Sequence, residues 1–516
     1  MSGLDLPAGW LSVPLRDVVV DVKTSDPALK PNTNITYFDI SSIDREAGMV
    51  TDAKVVLGAE APSRARQVVQ VGDVLFSTVR PNLRAIAQVP SVSNGMASTG
   101  FCVLRAAENV ESKYLHYFVR SEEFLDALLP LQRGSSYPAV RSGDVLSQLI
   151  PLAPAAEQTR IVEKLEELLS DLDAGVAELK AAQKKLGQYR QSLLKAAVEG
   201  ALTADWRKSQ KTKPAESGAE LLKRILHERR TRWEAKQLAK FKEQGKTPAK
   251  GWQSKYAEPV TPETAGLPEL PKGWVWASLD MLSEIQGGIQ KQPSRIPTIN
   301  KYPFLRVANV ARGLLKLDDV HEIELFAGEL ERLTLLRGDV LIVEGNGSLS
   351  EIGRCALWDG SIENVVHQNH LIRARPIVML SEFVESWLNS LRAIEKLTKL
   401  AATTSGLYTL SVGKISKIPV PVPPMDEQVA VIAMLASALE GQRYQDEAIK
   451  GSLKQATAQR KNILKAAFSG QLVPQDPQDE PASALLARIR AERVKQEAQP
   501  KARKGKIRKD DACVMD

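Results

Sequence analysis

Apolar residues recur at intervals of seven over one long stretch of the chain. Leucine occupies every seventh position there: Leu165, Leu172, Leu179, Leu186 and Leu193. Lys, Glu and Gln lie between them, and this heptad pattern is typical of a helix that pairs with another helix. The alternative is an amphipathic helix packed on its own globular domain, but the strict sevenfold spacing favours a coiled coil. We therefore predict a long helix over about residues 155–201.

A second helical pattern covers about residues 426–470 and keeps the same phase less strictly. Its apolar members are Leu435, Ile449 and Ile463, with Gln442 and Ala456 at the intervening positions. Forty residues at 1.5 Å each make a rod of about 60 Å. We predict that the two helices pair as an antiparallel coiled coil, which would relate the two halves of the chain by a pseudo-two-fold axis.

The segments that precede these helices have the short apolar runs of β-strands. Examples are "VVQVGDVLFSTV" and "STGFCVLRA" in the first segment, and "GDVLIVEG" and "HLIRARP" in the second. Gly, Pro, Ser and Asn separate the runs, as expected for strands joined by turns. Each segment ends in a proline-rich stretch, "IPLAP" or "IPVPVPP", which can continue neither a ladder nor a helix interior. The predicted fold class is α+β, with two tandem α/β domains.

The second half of the chain repeats the first. "LPAGW" at residue 6 returns as "LPKGW" at residue 270, and "IPLAPAAEQ" returns as "VPVPPMDEQ". "SLLKAAVEGALT" returns as "NILKAAFSGQLV", and "ELLKRILHERR" as "ALLARIRAER". The offsets between partners stay between 264 and 270 residues. Blocks that keep their order and spacing in this way indicate a tandem duplication.

The repeat predicts six segments. They are a first α/β domain at 1–154, a first spacer helix at 155–206, a basic helical linker at 207–266, a second α/β domain at 267–424, a second spacer helix at 425–473, and a basic C-terminal helix with a disordered tail at 474–516. Similar helical patterns in the linker and the C-terminal segment suggest a shared docking role. We expect them to contact partner subunits or flanking DNA, with an inert solvated linker as the alternative.

Composition is that of an ordinary globular protein with an uneven charge distribution. Of the 516 residues, 43% are apolar and 25% charged, for a formal net charge of +7. Residues 207–257 have a balance of +10 and residues 485–509 one of +8, which leaves about −11 for the rest. The basic character therefore belongs to the linker and the tail, which is compatible with nucleic-acid binding. No signal peptide or bilayer-length apolar run is evident, so we expect a cytoplasmic protein.

Several blocks together resemble the specificity subunits of type I restriction–modification systems. The two "LP-x-GW" openings resemble the start of a target recognition domain in that family. "GDVLFSTVRPNLR", "VEGNGSLSEIGR", "GSSYPAV" and "TSGLYTLS" resemble segments within and near the end of each domain. The two "EQ" segments and the two "LKAA" segments resemble the beginning and the end of the family's conserved spacer helices. The resemblance covers nearly the whole chain.

This resemblance implies a non-catalytic subunit that recognises DNA. Each recognition domain would read one part of a bipartite site in double-stranded DNA, and the helices would set the spacing and dock two methyltransferase subunits. Two restriction subunits would complete a restriction enzyme, and no membrane partner is expected. No cofactor would bind this chain: S-adenosylmethionine would belong to the methyltransferase, and ATP and Mg to the motor-nuclease. The alternatives are a subunit of a solitary methyltransferase without nuclease, or a coiled-coil scaffold that does not bind DNA.

Candidate catalytic or metal-binding residues do not emerge from the sequence. It has neither an "NPPY"-type methyltransferase motif nor a G-x-x-x-x-G-K-[ST] phosphate loop. The three cysteines are far apart in the chain and lack metal-ligand spacing. His367 and His370 of "HQNH" would point to opposite faces of an extended strand, so we assign them a structural or DNA-facing role.

Candidate DNA contacts come from loops with polar, basic and aromatic side chains, because base edges are read by such groups in the major groove. In the first domain they are Ser77, Arg80, Asn82, Arg84, Ser135, Ser136 and Tyr137. In the second domain they are Asn346, Ser348, Arg354, Thr404, Ser405 and Tyr408. Candidate phosphate contacts, which position the protein without reading sequence, are Lys291, Arg295 and Lys301. The alternative for each is a surface or turn residue without a base contact.

Overall fold

The computed structural model describes residues 6–134, 137–212, 214–346, 348–404 and 407–498. The chain folds into two compact units: unit 1 lies within residues 1–180 and 450–516, and unit 2 within residues 181–449. Across these described residues, no helix is both long and apolar enough to cross a membrane. Each unit thus combines one α/β domain with helical segments from distant parts of the sequence.

Unit 1 contains two four-stranded sheets. Its strands are β1 (Leu11–Pro14), β2 (Val19–Val20), β3 (Asn34–Phe38), β4 (Ile43–Asp44), β5 (Met49–Val50), β6 (Lys54–Leu57), β7 (Ala65–Val69), β8 (Val74–Ser77), β9 (Ile86–Gln88), β10 (Gly95–Ser98), β11 (Phe101–Ala106) and β12 (Leu149–Leu152). The sheets have the orders β6-β3-β10-β7 and β2-β11-β8-β9, and β1 pairs with β12. β3 and β10 are parallel, whereas β8 and β11 are antiparallel.

Unit 2 repeats part of this topology. Its strands are β13 (Val275–Ser278), β14 (Ser283–Gly287), β15 (Lys301–Leu305), β16 (Val310–Ala311), β17 (Leu314–Leu315), β18 (His321–Glu324), β19 (Val340–Val343), β20 (Gly345–Asn346), β21 (Cys355–Leu357), β22 (Val366–His367), β23 (Leu371–Pro376), β24 (Ala402–Thr404), β25 (Leu407–Thr409) and β26 (Pro419–Val422). The sheet β14-β23-β19-β21 corresponds to β2-β11-β8-β9, and the β13–β26 pair corresponds to β1–β12. The parallel pair β15–β22 corresponds to β3–β10. Unit 2 differs in its second sheet, β18-β15-β22, which has three strands, and in a further sheet, β20-β25-β24. The predicted α+β class and tandem domains are confirmed; the residue numbers of the predicted boundaries stay a prediction.

The helices include two long ones. In chain order they are α1 (Ser112–Val119), α2 (Glu122–Leu128), α3 (Ser142–Leu146), α4 (Ala155–Val198), α5 (Ala204–Ser209), α6 (Gly218–Glu243), α7 (Leu279–Leu282), α8 (Glu329–Leu333), α9 (Ser381–Leu388), α10 (Leu391–Leu400), α11 (Val412–Ser416), α12 (Met425–Phe468) and α13 (Ala482–Ala498). The "EQ" segments lie in the first turn of α4 and of α12. Proline directly precedes each long helix, at Pro154 and Pro424. The expectation that proline ends the ladder in these stretches is wrong, because Pro151 lies within β12 and Pro419 and Pro421 lie within β26.

The two long helices pack against each other within each unit, as predicted. In unit 1, Asp173 of α4 accepts a hydrogen bond from Arg460 of α12. In unit 2, Gln183 donates to Asp446 at 3.3 Å, and the Gln442 amide donates to the Leu186 carbonyl. Residue numbers therefore rise along α4 as they fall along α12, which makes the pairing antiparallel.

The heptad residues differ in what they pack against. Leu165 and Leu435 are 0% and 3% exposed and belong to the domain cores of units 1 and 2. Leu193 and Ile463 lie at the edges of those cores. The middle positions are half-buried: Leu172, Leu179, Leu186 and Ile449. The heptad residues near the ends of α4 and α12 therefore stabilise the domain cores as well as the helix pair.

The repeated Trp and Glu-Gln motifs meet in the structure. In unit 1 the Trp10 indole donates to Glu157 at 2.9 Å, and in unit 2 the Trp274 indole donates to Glu427 at 2.7 Å. Both carboxylates are buried. A buried carboxylate needs hydrogen-bond donors to offset its desolvation, so the start of each domain is tied to the start of its long helix. This explains why both motifs recur in both halves.

The similar helical segments after the long helices both dock on the protein itself. In unit 1, α13 buries Leu485 and Ile489 in the first domain's core, and the Ala482 N–H donates to the Gly9 carbonyl at 2.8 Å. In unit 2, the Gly218 N–H at the start of α6 donates to the Gly273 carbonyl at 2.7 Å. The shared docking role expected from the sequence is thus filled within the chain. The expectation of partner or DNA contact is wrong for the buried first turns of both helices.

His116 and Glu385 occupy equivalent positions in α1 and α9. Burial shifts their pKa values in opposite directions. Burial, with Arg120 nearby, lowers the pKa of His116 to about 3. Burial raises the pKa of Glu385 to about 7, although Arg190 and an Asn389 hydrogen bond oppose the shift. The stability that His116 contributes is present above pH 6.5 and is lost as pH falls towards 3. The stability that Glu385 contributes is present below pH 4.5 and is lost as pH rises through 7.

Local stability around α9 is therefore expected to fall between pH 4.5 and 7, by about 3 kcal/mol at 1.36 kcal/mol per pKa unit. Hydrogen exchange of peptides from residues 381–400, corrected for intrinsic rates, measures this change. Glu385→Gln should flatten the profile, because the amide does not titrate. Peptides from residues 112–119 provide the contrast and should lose protection towards acid pH. Equal pH profiles for wild type and Glu385→Gln would contradict the assignment.

Candidate nucleic-acid interface

The loop after β8 in unit 1 holds two arginines in a strained backbone conformation. Arg80 and Arg84 have φ angles of 48° and 56°, in the left-handed region that is unfavourable for residues other than glycine. Pro81–Leu83 form a short 3-10 turn between them. The Arg80 N–H donates to the Pro138 carbonyl at 2.7 Å, which helps to hold this form. Strained residues held by their surroundings concentrate at functional sites.

The segment near the end of the first domain lies against this loop. Val79 forms a bridge with Ala139, so residues 77–84 and 137–140 meet although they are far apart in sequence. The guanidinium carbon of Arg80 lies 4.6 Å from the centroid of the Tyr137 ring, a cation–π distance. Tyr137 is 70% exposed. The two predicted clusters of this domain therefore come together and present a cation and an aromatic ring to the exterior.

The other candidates of unit 1 differ in their accessibility. Asn82 is exposed at the tip of the turn, whereas Arg84 forms a salt bridge with Glu122. Ser77 is 1% exposed, and its hydroxyl donates to the Val79 carbonyl at 2.9 Å. The assignment of Ser77 to base contact is therefore wrong for this structure, because its only polar group is buried and used within the loop. Two further candidates, Ser135 and Ser136, lie outside the described residues.

Unit 2 brings its two clusters together in the same way. Gly345 pairs with Thr409 and Asn346 with Tyr408, so β20 joins the β24–β25 hairpin. The Leu410 N–H also donates to the Glu344 carbonyl at 2.8 Å. Tyr408 is half-buried against the core of unit 2. In both domains, the segment after one strand of the main sheet, β8 in unit 1 and β19 in unit 2, thus lies beside a segment near the end of the domain.

The structure describes the remaining candidates of this region incompletely. Ser348 is exposed and precedes the 3-10 turn Leu349–Glu351. Asn346 and Thr404 have described backbones, and their side chains lie outside the description. Ser405 lies wholly outside the described residues. These four assignments stay predictions.

Arg354 has a structural role instead of the base contact predicted for it. Its guanidinium donates to the carbonyls of Val310 at 2.6 Å and Val307 at 3.0 Å, and to the Glu351 carboxylate at 2.5 Å. Its side chain is 12% exposed. Arg354 therefore uses its donors to fasten two neighbouring segments, and reaching a base would leave those carbonyls without a donor.

The three predicted phosphate contacts also differ. Lys291 is exposed, and Lys301 lies 3.5 Å from Glu322 with about half of its side chain exposed. Arg295 forms two hydrogen bonds with Glu329, at 2.8 and 2.9 Å, and its guanidinium carbon lies 4.4 Å from the centroid of Phe326. Because its side chain is 12% exposed, the phosphate role predicted for Arg295 is wrong for this structure. Lys291 and Lys301 remain available to a phosphate.

Sequence reasoning missed Arg133 at the same surface of unit 1. Its backbone pairs with Ala139, beside Tyr137, and its side chain is 53% exposed with Asp144 at 3.7 Å. Its position directly before the Gly-Ser-Ser stretch of the sequence was the available signal. Within the described ranges, no group of three His, Cys, Asp or Glu could hold a metal ion. Cys102 and Cys355 are buried free thiols, and His367 is buried with Nδ1 3.0 Å from the Leu371 carbonyl oxygen.

Comparison with known proteins supports the resemblance noted from the sequence. The chain is 25% identical over 405 residues to the specificity subunit of the type I restriction enzyme EcoKI from Escherichia coli K12, covering 76% of this chain and 75% of that protein. It is 24% identical over 400 residues to the EcoDI specificity subunit from Escherichia coli, covering 75% and 77%. No family model matches the chain.

A solved structure shares the fold along most of the chain. It comes from work on complex assembly and conformational transition of the type I restriction–modification system. The TM-score is 0.63 with 26% sequence identity, over 91% of this chain and all of that one. The similarity in fold extends over both repeated halves of the chain. By sequence and by fold, the chain is thus a homologue of the specificity subunits of type I restriction–modification systems.

Proposed function

We propose that the chain reads a bipartite site in duplex DNA, one part with each unit. As a specificity subunit, it supplies recognition rather than chemistry. The observation that carries the proposal is made in both domains. The segment that follows β8 in unit 1, and the one that follows β19 in unit 2, lies beside a segment near the end of the same domain. In unit 1 this places Arg80, Tyr137 and Asn82 on one exposed surface.

The chemistry of this surface suits the major groove. Arginine can bind guanine through two hydrogen bonds, and asparagine can bind adenine in the same manner. Tyr137 lies against the Arg80 guanidinium, which reduces the side-chain freedom that the arginine must lose on binding. Similar folds with different loops would allow the two units to read different sequences. The paired helices would then fix the gap between the two parts of the site.

The same proposal assigns the partners. Two methyltransferase subunits, which bind S-adenosylmethionine, dock on the repeated helices and modify the DNA that this chain selects. Two restriction subunits that use ATP and Mg join them where the system includes a nuclease. These assignments rest on the family resemblance. The complex acts on chromosomal DNA in the cytoplasm.

The test is to co-express the chain with its methyltransferase and to map methylated adenines across the host DNA. We expect a split motif with an undefined centre, which disappears when this chain is omitted. Methylation at one uninterrupted motif, or methylation that does not require the chain, would contradict the proposal.

Within that experiment, Arg80→Ala is expected to relax one position in one half of the motif. Loss of a two-bond base contact reduces discrimination by about 1–3 kcal/mol, which is about 5- to 150-fold. Arg354→Ala is the matched control in the other unit, because its donors are used within the protein; it should lower stability and leave the motif unchanged. A motif that is unaltered by Arg80→Ala would remove Arg80 from the interface.

A further inference from the structure

The distal part of α6 and the segment that follows it form a surface that the recognition domains do not explain. The helix extends 18 residues beyond Ile225, the last of its residues buried in the core of unit 2. The chain then reverses at Gly245 and Gly251, whose φ angles are 61° and 76°. The Lys246 N–H donates to the Phe241 carbonyl at 2.8 Å at this helix end. We call residues 229–256 the basic hairpin.

Aromatic side chains fix the returning segment on the helix. The Trp233 and Trp252 rings are stacked at 5.7 Å and 22°. Phe241 contacts Trp252 edge-on at 6.0 Å, and Tyr256 contacts Trp233 edge-on at 5.4 Å. Such pairs add about 0.5–1.5 kcal/mol each beyond their burial. A linker that only spans a distance needs no packing of this kind, so the hairpin is built to hold a shape.

The cations of the basic hairpin fall into two groups. Four of them form salt bridges with nearby carboxylates: Arg229, Arg230, Arg232 and Lys236. The other five are exposed lysines for which the described part of the chain offers no carboxylate within salt-bridge distance: Lys240, Lys242, Lys246, Lys250 and Lys255. The positive charge of these five exposed lysines is not paired within the described part of the hairpin, and such a surface attracts a polyanion.

We propose that these five lysines bind backbone phosphates of duplex DNA that flanks the recognition site. The proposal rests on the proposed function, because that function supplies the duplex. Lysine is a flexible point charge that suits phosphate contact without base readout. A protein partner fits less well, because lysine is depleted in protein interfaces and aromatic rings are enriched there. Here the rings are half-buried in the hairpin's own cluster, and the lysines face outwards.

The test replaces all five lysines by glutamine in the chain co-purified with its methyltransferase subunits. DNA affinity is measured from about 50 to 300 mM salt on duplexes that carry the methylated motif within long flanks. Each lost phosphate contact should reduce the slope of log K against log salt by about 0.9, so the loss of all five should reduce it by about 4.5. The methylated motif should not change, because phosphates carry no sequence information.

A matched variant with arginine at the same five positions keeps the charge and should keep the slope. An unchanged slope in the glutamine variant would overturn the proposal. Loss of the methyltransferase subunits from the purified glutamine variant would also overturn it, because the hairpin would then be a protein-docking surface. Failure of the proposed function looks different: the wild-type complex itself would bind all duplexes alike.

Discussion

Replacing Leu485 and Ile489 of α13 together by alanine is expected to destabilise unit 1 by about 4–10 kcal/mol, since each buried aliphatic residue truncated to alanine costs about 2–5 kcal/mol. The two side chains are 1% and 6% exposed. They share a core with Tyr114 and Phe118 of α1. A domain is typically stable by about 5–15 kcal/mol, so the double variant should lose most of the stability of unit 1.

Hydrogen exchange within the assembled complex measures this effect by region. Peptides of the first domain should lose protection, and peptides of residues 267–424 should keep theirs. Val494→Ala on the same helix is the control, because Val494 is 65% exposed; substitutions of this kind usually change stability by less than about 0.5 kcal/mol. Wild-type protection of the first domain in the double variant would show that α13 is not part of its core.

The long helices could be predicted from the sequence because their signal is local and periodic. Heptad spacing depends only on residues within the same helix, and the repeat needs no knowledge of contacts. Which domain a helix joins depends instead on contacts between residues that are far apart in the chain. The hydrogen bond from Ala482 to Gly9 is one example. The matched "LLKRIL" and "LLARIR" patterns therefore predicted docking and gave no information on the surface that receives it.

The candidate site was only partly predictable for a related reason. Ser77 and Arg354 have the composition and setting of exposed loop residues, and later segments of the fold decide whether they are accessible. Arg354 is fastened by the carbonyls of Val307 and Val310, which no sequence pattern links to it. The strained φ of Arg80 is held in part by its hydrogen bond to the Pro138 carbonyl, which is far away in the sequence. The loop clusters themselves were predictable because turn residues and polar side chains are concentrated in them.

Glu427→Ala is expected to destabilise unit 2 by about 3–5 kcal/mol, the cost of removing one partner from a buried ion pair. Glu427 is 2% exposed and lies in the first turn of α12. Its carboxylate accepts hydrogen bonds from the Trp274 indole and the Thr203 hydroxyl, both at 2.7 Å, and pairs with Arg207. The variant leaves the indole N–H and the hydroxyl without this acceptor, and the half-buried guanidinium of Arg207 without its counter-charge. The start of α12 should therefore loosen from the second domain.

The corresponding Glu157→Ala in unit 1 is the matched comparison. Glu157 accepts from the Trp10 indole at 2.9 Å and from the Gln475 amide at 3.2 Å, and both donors are neutral. Leaving neutral donors unsatisfied costs about 1–3 kcal/mol, so unit 1 should lose less than unit 2. Hydrogen exchange at residues 267–282 for Glu427→Ala, and at residues 6–20 for Glu157→Ala, measures the two losses. Equal losses would show that the charge of Arg207 adds nothing to the tie between α12 and its domain, and that the shared Trp–Glu hydrogen bond carries the whole effect in both units.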